Sequence, residues 1–302
     1  MEKLLQWSLA QQGDNKEAKE RVGGPDPRAL AQLLGMVQGK DDPTLMKESG
    51  SVLRNKKSTT DEKITALENM EALIENLDNA NNLKNMKLWP SILDQLDSDE
   101  NEIQSLACSC IGSAVQNNPK SQKDFLVESN KSGAMQKVLN LAQNSTDDNL
   151  RSKALYALSN ITRHNVSAYK QFENLDGWQL IPSLLADADA SDKLKFRALS
   201  LLSSLVSEEV ETANFKTNEG QEKIKRLKDD KIIDSILDIL SKDRGINCLD
   251  RAISILSTLI SHGFDFNDAQ KQELSLKINE LNSVKDRLNE DDFNNLRSVV
   301  RN

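Results

Sequence analysis

Aromatic side chains are scarce in this chain, at 4% of 302 residues, and alternation of β-branched residues is nearly absent. Both features weigh against a sheet-rich fold. Leu, Ile, Ala and Ser dominate the apolar stretches, a helix-rich composition. Cysteine is as sparse. Cys108, Cys110 and Cys248 make an odd count that suits a reducing compartment. Cys108 and Cys110 stand two apart on an expected helix and point to nearly opposite sides, which excludes a local disulfide or a shared metal. The two histidines, His164 and His262, fall at expected helix ends. No glycine-rich phosphate loop, paired metal-ligand spacing or nucleophile elbow occurs. No catalytic residue, cofactor site or metal site is assigned, and the chain is expected not to be an enzyme.

Long apolar runs are missing too, so no membrane span is expected. The opening "MEKLLQWSLA" has neither a basic region nor a long apolar core, so it does not read as a secretory signal. Its early Glu2 argues against a mitochondrial address. A cytoplasmic location follows, and the four Asn-X-Ser/Thr matches, at Asn130, Asn144, Asn160 and Asn165, are chance. Positive charge is the minority: 39 bases against 47 acids give a net charge of -8. Phosphate backbones and anionic lipids repel such a chain, so neither nucleic acid nor membrane is an expected partner. The densest basic cluster, "KIKRLKDDK" at Lys223–Lys231, reads as a solvated linker face.

What the chain has is a repeat. "WPSILDQL" from Trp89, "MQKVLNLA" from Met135, "IPSLLADA" from Ile181 and "IDSILDIL" from Ile233 place apolar residues at positions 1, 4 and 5. Pro90 and Pro182 stand second, where a helix tolerates proline. Each is followed by a helix of small residues, in which Ala107, Ala154, Ala198 and Ala252 align, and five residues later Gly112, Ser159, Ser203 and Ser257. A weaker copy sets Ala66 in the same register. From Ala66 the spacings are 41, 47, 44 and 54 residues, the last carrying a polar insertion. A period in the forties with these two helices indicates an all-α, armadillo-like solenoid, in which stacking buries faces that no unit covers alone. "TTDE", "DSDENE" and "STDDN" precede helices and read as N-caps.

Residues 1–42 do not fit the repeat. "QQGDNKEAKERVGGPDPR" reads as flexible. The short apolar "LLQWSLA" before it either docks on the solenoid or forms a partner-binding peptide. At the other end Leu274, Ile278, Leu281 and Val284 form one helical stripe, as a cap on the solenoid needs. The expected division is 1–42 and 43–302. One segment poses a separate question. Asn76, Asn79, Asn81 and Asn82 crowd the expected end of the helix that holds Ala66. Asn disfavours helix interiors, so the cluster marks a helix end, a binding surface, or both.

The blocks "MEKLLQWSLA", "DDPTLMKES", "LIENLDNANNLKNMKLW", "AVQNN", "ALSNITRHN" and "KDRLNEDDF" together closely resemble the fungal cytosolic armadillo-type nucleotide exchange factors of the 70-kilodalton heat-shock chaperones. The animal heat-shock-protein binding protein is a relative. The resemblance implies a monomer whose inner face embraces the chaperone's nucleotide-binding domain and promotes ADP release. It implies a contact at Asn76, Asn79, Ala80 and Asn81, where a larger residue than Ala80 holds the partner away without unfolding the chain. It implies a second contact at Arg197, whose competing reading is an ion pair with Asp192 or a neighbouring acid. Arg251 is in register with Arg197 and Lys153 is similar; Leu106 breaks the row. Asn117, Asn160 and Arg163 are further candidates on that face. Leu4, Leu5 and Trp7 are the implied anchors of a segment that contacts the chaperone's substrate-binding domain and ejects client. The alternative is an adaptor that holds an extended peptide with a Trp and Asn ladder. Trp7, Trp89 and Trp178 are on no inner helix, and Asn160 has no counterpart at Ser113, Ser204 or Thr258, which disfavours it.

Overall fold

A computed structural model describes residues 40–206 and 218–301. The expected anchors Leu4, Leu5 and Trp7, and the first part of the polar insertion, residues 207–217, lie outside them. The chain divides after Met46, and the unit considered below begins at Lys47. Every regular element among the described residues is a helix. α1 (Asp42–Arg54) runs across the division and is followed by α2 (Thr60–Ile74).

Three-helix repeats follow. The first holds α3 (Leu77–Asn82), α4 (Trp89–Leu93) with a 3-10 turn, and α5 (Asn101–Val115). The second holds α6 (Pro119–Ser132), α7 (Ala134–Asn144) and α8 (Asp148–Thr162). The third holds α9 (Val166–Asn174), α10 (Leu180–Ala186) and α11 (Asp192–Val206). The fourth holds α12 (Asn218–Asp229), α13 (Ile232–Ile239) and α14 (Ile246–Ser261). α15 (Asp268–Leu281) and α16 (Glu290–Arg301) follow, with Leu274, Ile278 and Leu281 of the expected stripe buried, whereas Val284 lies past the end of α15 and is half-buried.

The repeat read from the sequence is the packing pattern. Positions 1, 4 and 5 of all four second helices are buried: Trp89, Ile92 and Leu93; Met135, Val138 and Leu139; Ile181, Leu184 and Leu185; Ile233, Ile236 and Leu237. Each such side chain contributes about 1.5–3 kcal/mol when fully buried, which a single repeat cannot collect alone. The aligned alanines are buried against neighbouring third helices. Gly112 shows why that position stays small. A Cβ there would meet the Tyr156 ring at 2.5 Å and the Ala157 Cα at 3.3 Å, so α5 and α8 approach more closely than a side chain permits.

Two local devices recur with the period. Asn76, Asn118 and Asn165 are the N-caps of α3, α6 and α9, each accepting backbone N–H groups of the first turn. In three third helices a donor three residues before the aligned alanine reaches back to a carbonyl of the second helix or its trailing turn. Gln104 donates to Leu96 O (3.1 Å), Arg151 to Ala142 O (3.4 Å) and Lys195 to Leu185 O (3.3 Å). These bonds satisfy carbonyls that a helix end leaves open. Lys195 is buried, and burial holds its pKa below the usual lysine value.

Two sequence expectations change. Lys223–Lys231 is no solvated linker: residues to Asp229 belong to α12, where buried Lys223 donates to Leu205 O (3.0 Å) and lies 4.2 Å from the Tyr169 ring centroid. An amphipathic helix with lysine at a carbonyl terminus reads from the sequence as a charge run. "DSDENE" forms no side-chain cap on α5 either; Ser98 accepts from Glu100 N one turn earlier. Thr59 with Glu62 does form a capping box, and Asp147 caps α8.

Candidate protein-binding face on the third helices

The Asn cluster opens a helix rather than ending one. Asn76 Oδ1 accepts from Asp78 N (2.9 Å) and Asn79 N (3.4 Å), which starts α3 immediately after α2 stops. Asn79 turns inward, 7% exposed, and donates to Leu73 O at 2.9 Å, closing the carbonyl end of α2. Ala80 is 3% exposed and packs inside. The Asn81 carbonyl accepts from Lys120 Nζ (2.9 Å) on α6, and its buried Oδ1 has no hydrogen-bond partner. A larger residue at position 80 therefore has to displace its packing neighbours, which sets burial against the expectation that Ala80 can be enlarged without disturbing the fold. What the segment shows outward is chiefly Leu77, 58% exposed, with Asn76 and Asp78.

The basic row has a different character. It begins as a balanced relay: Ser109 of α5 donates to Glu71 of α2, and Lys153 of α8 donates to Ser109 Oγ at 2.7 Å. One turn on, Tyr156 donates its hydroxyl to Gln116 Oε1 (3.0 Å). Arg197 of α11 lies over that ring, 5.0 Å from its centroid, and 5.8 Å from the Phe196 centroid. Arg251 of α14 lies 5.7 Å from the same Phe196 ring. The third helices thus carry a series of side chains in two contact groups, Glu71–Ser109–Lys153 and Gln116–Tyr156–Arg197–Phe196–Arg251.

Its second half lacks counter-charge. Among the described residues no carboxylate lies within ion-pair distance of Arg163, Arg197 or Arg251. Asp192, the carboxylate the sequence offers to Arg197, bonds Arg244 (3.1 Å) and Gly245 N (2.6 Å) instead. Burial lowers the Arg197 pKa, with Tyr156 acting against it. Burial, and then the charge of Arg251, lowers that of Arg163. Arginine nevertheless keeps its proton at neutral pH, so the face is cationic.

The remaining candidates scatter. Asn117 is exposed in the left-handed region, φ 49°, between α5 and α6. Asn160 is 8% exposed, with a buried Nδ2 lacking a partner, and its carbonyl accepts from Gln122 (2.8 Å). Gln122 also reaches the Arg163 carbonyl (2.9 Å). Tyr156, Phe196, Gln116, Glu71 and Ser109 were not singled out from the sequence. Their contacts join residues about forty apart, and only the repeat register could have paired them.

All three cysteines are free and buried; burial pushes Cys108 up to about 12 despite Lys153 nearby. Among the described residues no cluster of His, Cys, Asp and Glu suits a metal, and no helix is long and apolar enough to cross a membrane. Trp89 and Trp178 are buried, the first on α4 and the second in a 3-10 turn before α10, so neither belongs to a third helix.

Comparisons with known proteins add to this geometry. Residues 1–83 match the family model described as nucleotide exchange factor Fes1, and residues 79–243 the SIL1/FES1/HPBP1 C-terminal domain. A Kluyveromyces lactis protein named Hsp70 nucleotide exchange factor FES1 is 41% identical over 302 residues, covering all of both chains. Its Saccharomyces cerevisiae namesake is also 41% identical, over 99% of this chain and all of its own. Among solved structures, a designed armadillo repeat protein aligns with a TM-score of 0.64 at 15% identity, over 86% of this chain and 99% of its own. Another, in complex with the peptide (KR)4, aligns with a TM-score of 0.63 at 15% identity, over 87% and 99%. At that identity the likeness is one of fold: these helices form an armadillo-type repeat.

Proposed function

This chain belongs to the SIL1/FES1/HPBP1 family, and within it to the Fes1 nucleotide exchange factors, and on that premise we propose that it exchanges nucleotide on an Hsp70 chaperone. The observation that carries this reading is similarity over the whole length, 302 residues at 41% identity, to a protein named for that activity. The chain itself performs no bond chemistry. It binds the chaperone's nucleotide-binding domain in an arrangement whose cleft is open, so ADP leaves and ATP enters.

The energetic requirement is differential affinity for the open arrangement. Linkage makes the effect reciprocal, so nucleotide weakens the grip of the exchange factor as much as the factor weakens that of nucleotide. A thousandfold effect needs roughly 4 kcal/mol of coupling, within the reach of one protein interface. The binding face comprises the third-helix row of Lys153, Arg163, Arg197 and Arg251, flanked by Asn117 and Asn160. The α3 segment joins it through Asn76 and Asn81, held in place by buried Asn79 and Ala80. A monomer acting in the cytoplasm fits this reading. Residues 1–42, with Leu4, Leu5 and Trp7 as anchors, contact the chaperone's substrate-binding domain and promote client release. A groove for a basic peptide is disfavoured, because the cations on this face repel one.

The test is release of fluorescent ADP from preloaded Hsp70. Added protein is expected to speed release in a saturable way. Unchanged release over a concentration series, beside a working exchange factor, rejects the function. Deleting residues 1–42 is expected to spare nucleotide release and slow client release; equal loss of both would assign that segment to the main interface.

A further inference from the structure

The rings that touch Arg197 and Arg251 have no place in the reading above, yet they interleave with both cations. We propose that Tyr156 and Phe196 are positioning residues, which hold Arg197 and Arg251 ordered and still charged for a carboxylate-rich surface of the Hsp70 partner. This rests on the exchange-factor function. Arginine usually gains order by pairing with a carboxylate, as Arg244 does with Asp192, but such a pair cancels the charge a partner would read. A ring attracts the cation through its π face and adds no negative charge. The guanidinium keeps its in-plane N–H donors for a bidentate acceptor.

The order along the face is ring, cation, ring, cation: Tyr156, Arg197, Phe196, Arg251, at centroid distances of 5.0, 5.8 and 5.7 Å. The first ring is itself fixed. Its hydroxyl donates to Gln116, and its edge fills the space that Gly112 leaves. The neighbouring Lys153 contrasts with this arrangement, since Ser109 connects it to Glu71. Absence of a described carboxylate beside three arginines, on a chain of net charge -8, sets the sign of the occupant.

The test measures affinity of the full chain for Hsp70 by calorimetry across a salt series. Tyr156→Leu is expected to weaken binding about three- to tenfold, no more than loss of Arg197 itself and in the range of one cation–π contact, with the salt slope unchanged. Tyr156→Phe, which keeps the ring, is expected within about twofold of wild type. Arg197→Gln weakens binding and flattens the salt slope. The double variant Tyr156→Leu/Arg197→Gln binds no worse than Arg197→Gln alone. Wild-type affinity for Tyr156→Leu, or losses that add in the double variant, would overturn the proposal. So would wild-type affinity for Arg197→Gln, yet accelerated ADP release would then still uphold the exchange function. NMR relaxation of the Arg197 Nε–H in the free protein tests the idea without Hsp70: a rigid bond supports it and a mobile one overturns it, whatever the stability of the Tyr156 variants.

Discussion

The Asn76–Asn82 segment and the row from Lys153 to Arg251 are both dense in polar side chains, and they use them in opposite ways. In the first, amides chiefly close the structure: Asn76 starts α3 and Asn79 finishes α2, and of the buried side-chain atoms only the Asn81 Oδ1 is left without a partner. In the second, Arg197 and Arg251 rest on rings and bond no described carboxylate. Polar density alone does not mark a contact surface. Hydrogen-bonding capacity left over after folding does.

Substitutions can break or sharpen that contrast. Ala80→Arg has the largest expected effect. Forcing a long cation into a site 3% exposed destabilises the first repeat by about 3 kcal/mol, read as a lower melting temperature by circular dichroism. A variant with the wild-type melt and no Hsp70 binding would return Ala80 to the contact surface. Gly112→Val comes next, at about 2 kcal/mol, because its side chain meets the Tyr156 ring. It also displaces Arg197, so affinity falls along with stability. Arg197→Gln reverses the balance: stability within about 0.5 kcal/mol of wild type, and Hsp70 affinity reduced about tenfold, as loss of roughly 1.4 kcal/mol implies. Asn76→Ala is smallest, removing about 1 kcal/mol of cap energy. A thermal melt and an affinity measurement on the same sample separate the two regions. If Asn76→Ala lowers affinity far more than stability, the cap is also a contact.

The fold was legible because burial repeats with the chain. Positions 1, 4 and 5 of each second helix, and the aligned alanines, are constrained by the same neighbours in every unit, so residue type repeats as well. The capping donors were not legible, since Gln104, Arg151 and Lys195 do one task with three chemistries. The α12 helix was misread for a related reason. Buried Lys223 has an apolar stem and a carbonyl acceptor, but composition records only its charge. The site was half legible. Arg197 and Arg251 follow from register, whereas Tyr156 and Phe196 gain their meaning from neighbours in adjacent repeats.

Asp192 links the third repeat to the fourth through Arg244 and Gly245, and α11 packs on α14 behind it. The covalent connection between these repeats passes through residues 207–217, and these contacts join them a second time, through space. A protease that severed the peptide chain there would leave two fragments that co-purify and melt together until the helix interface itself gave way.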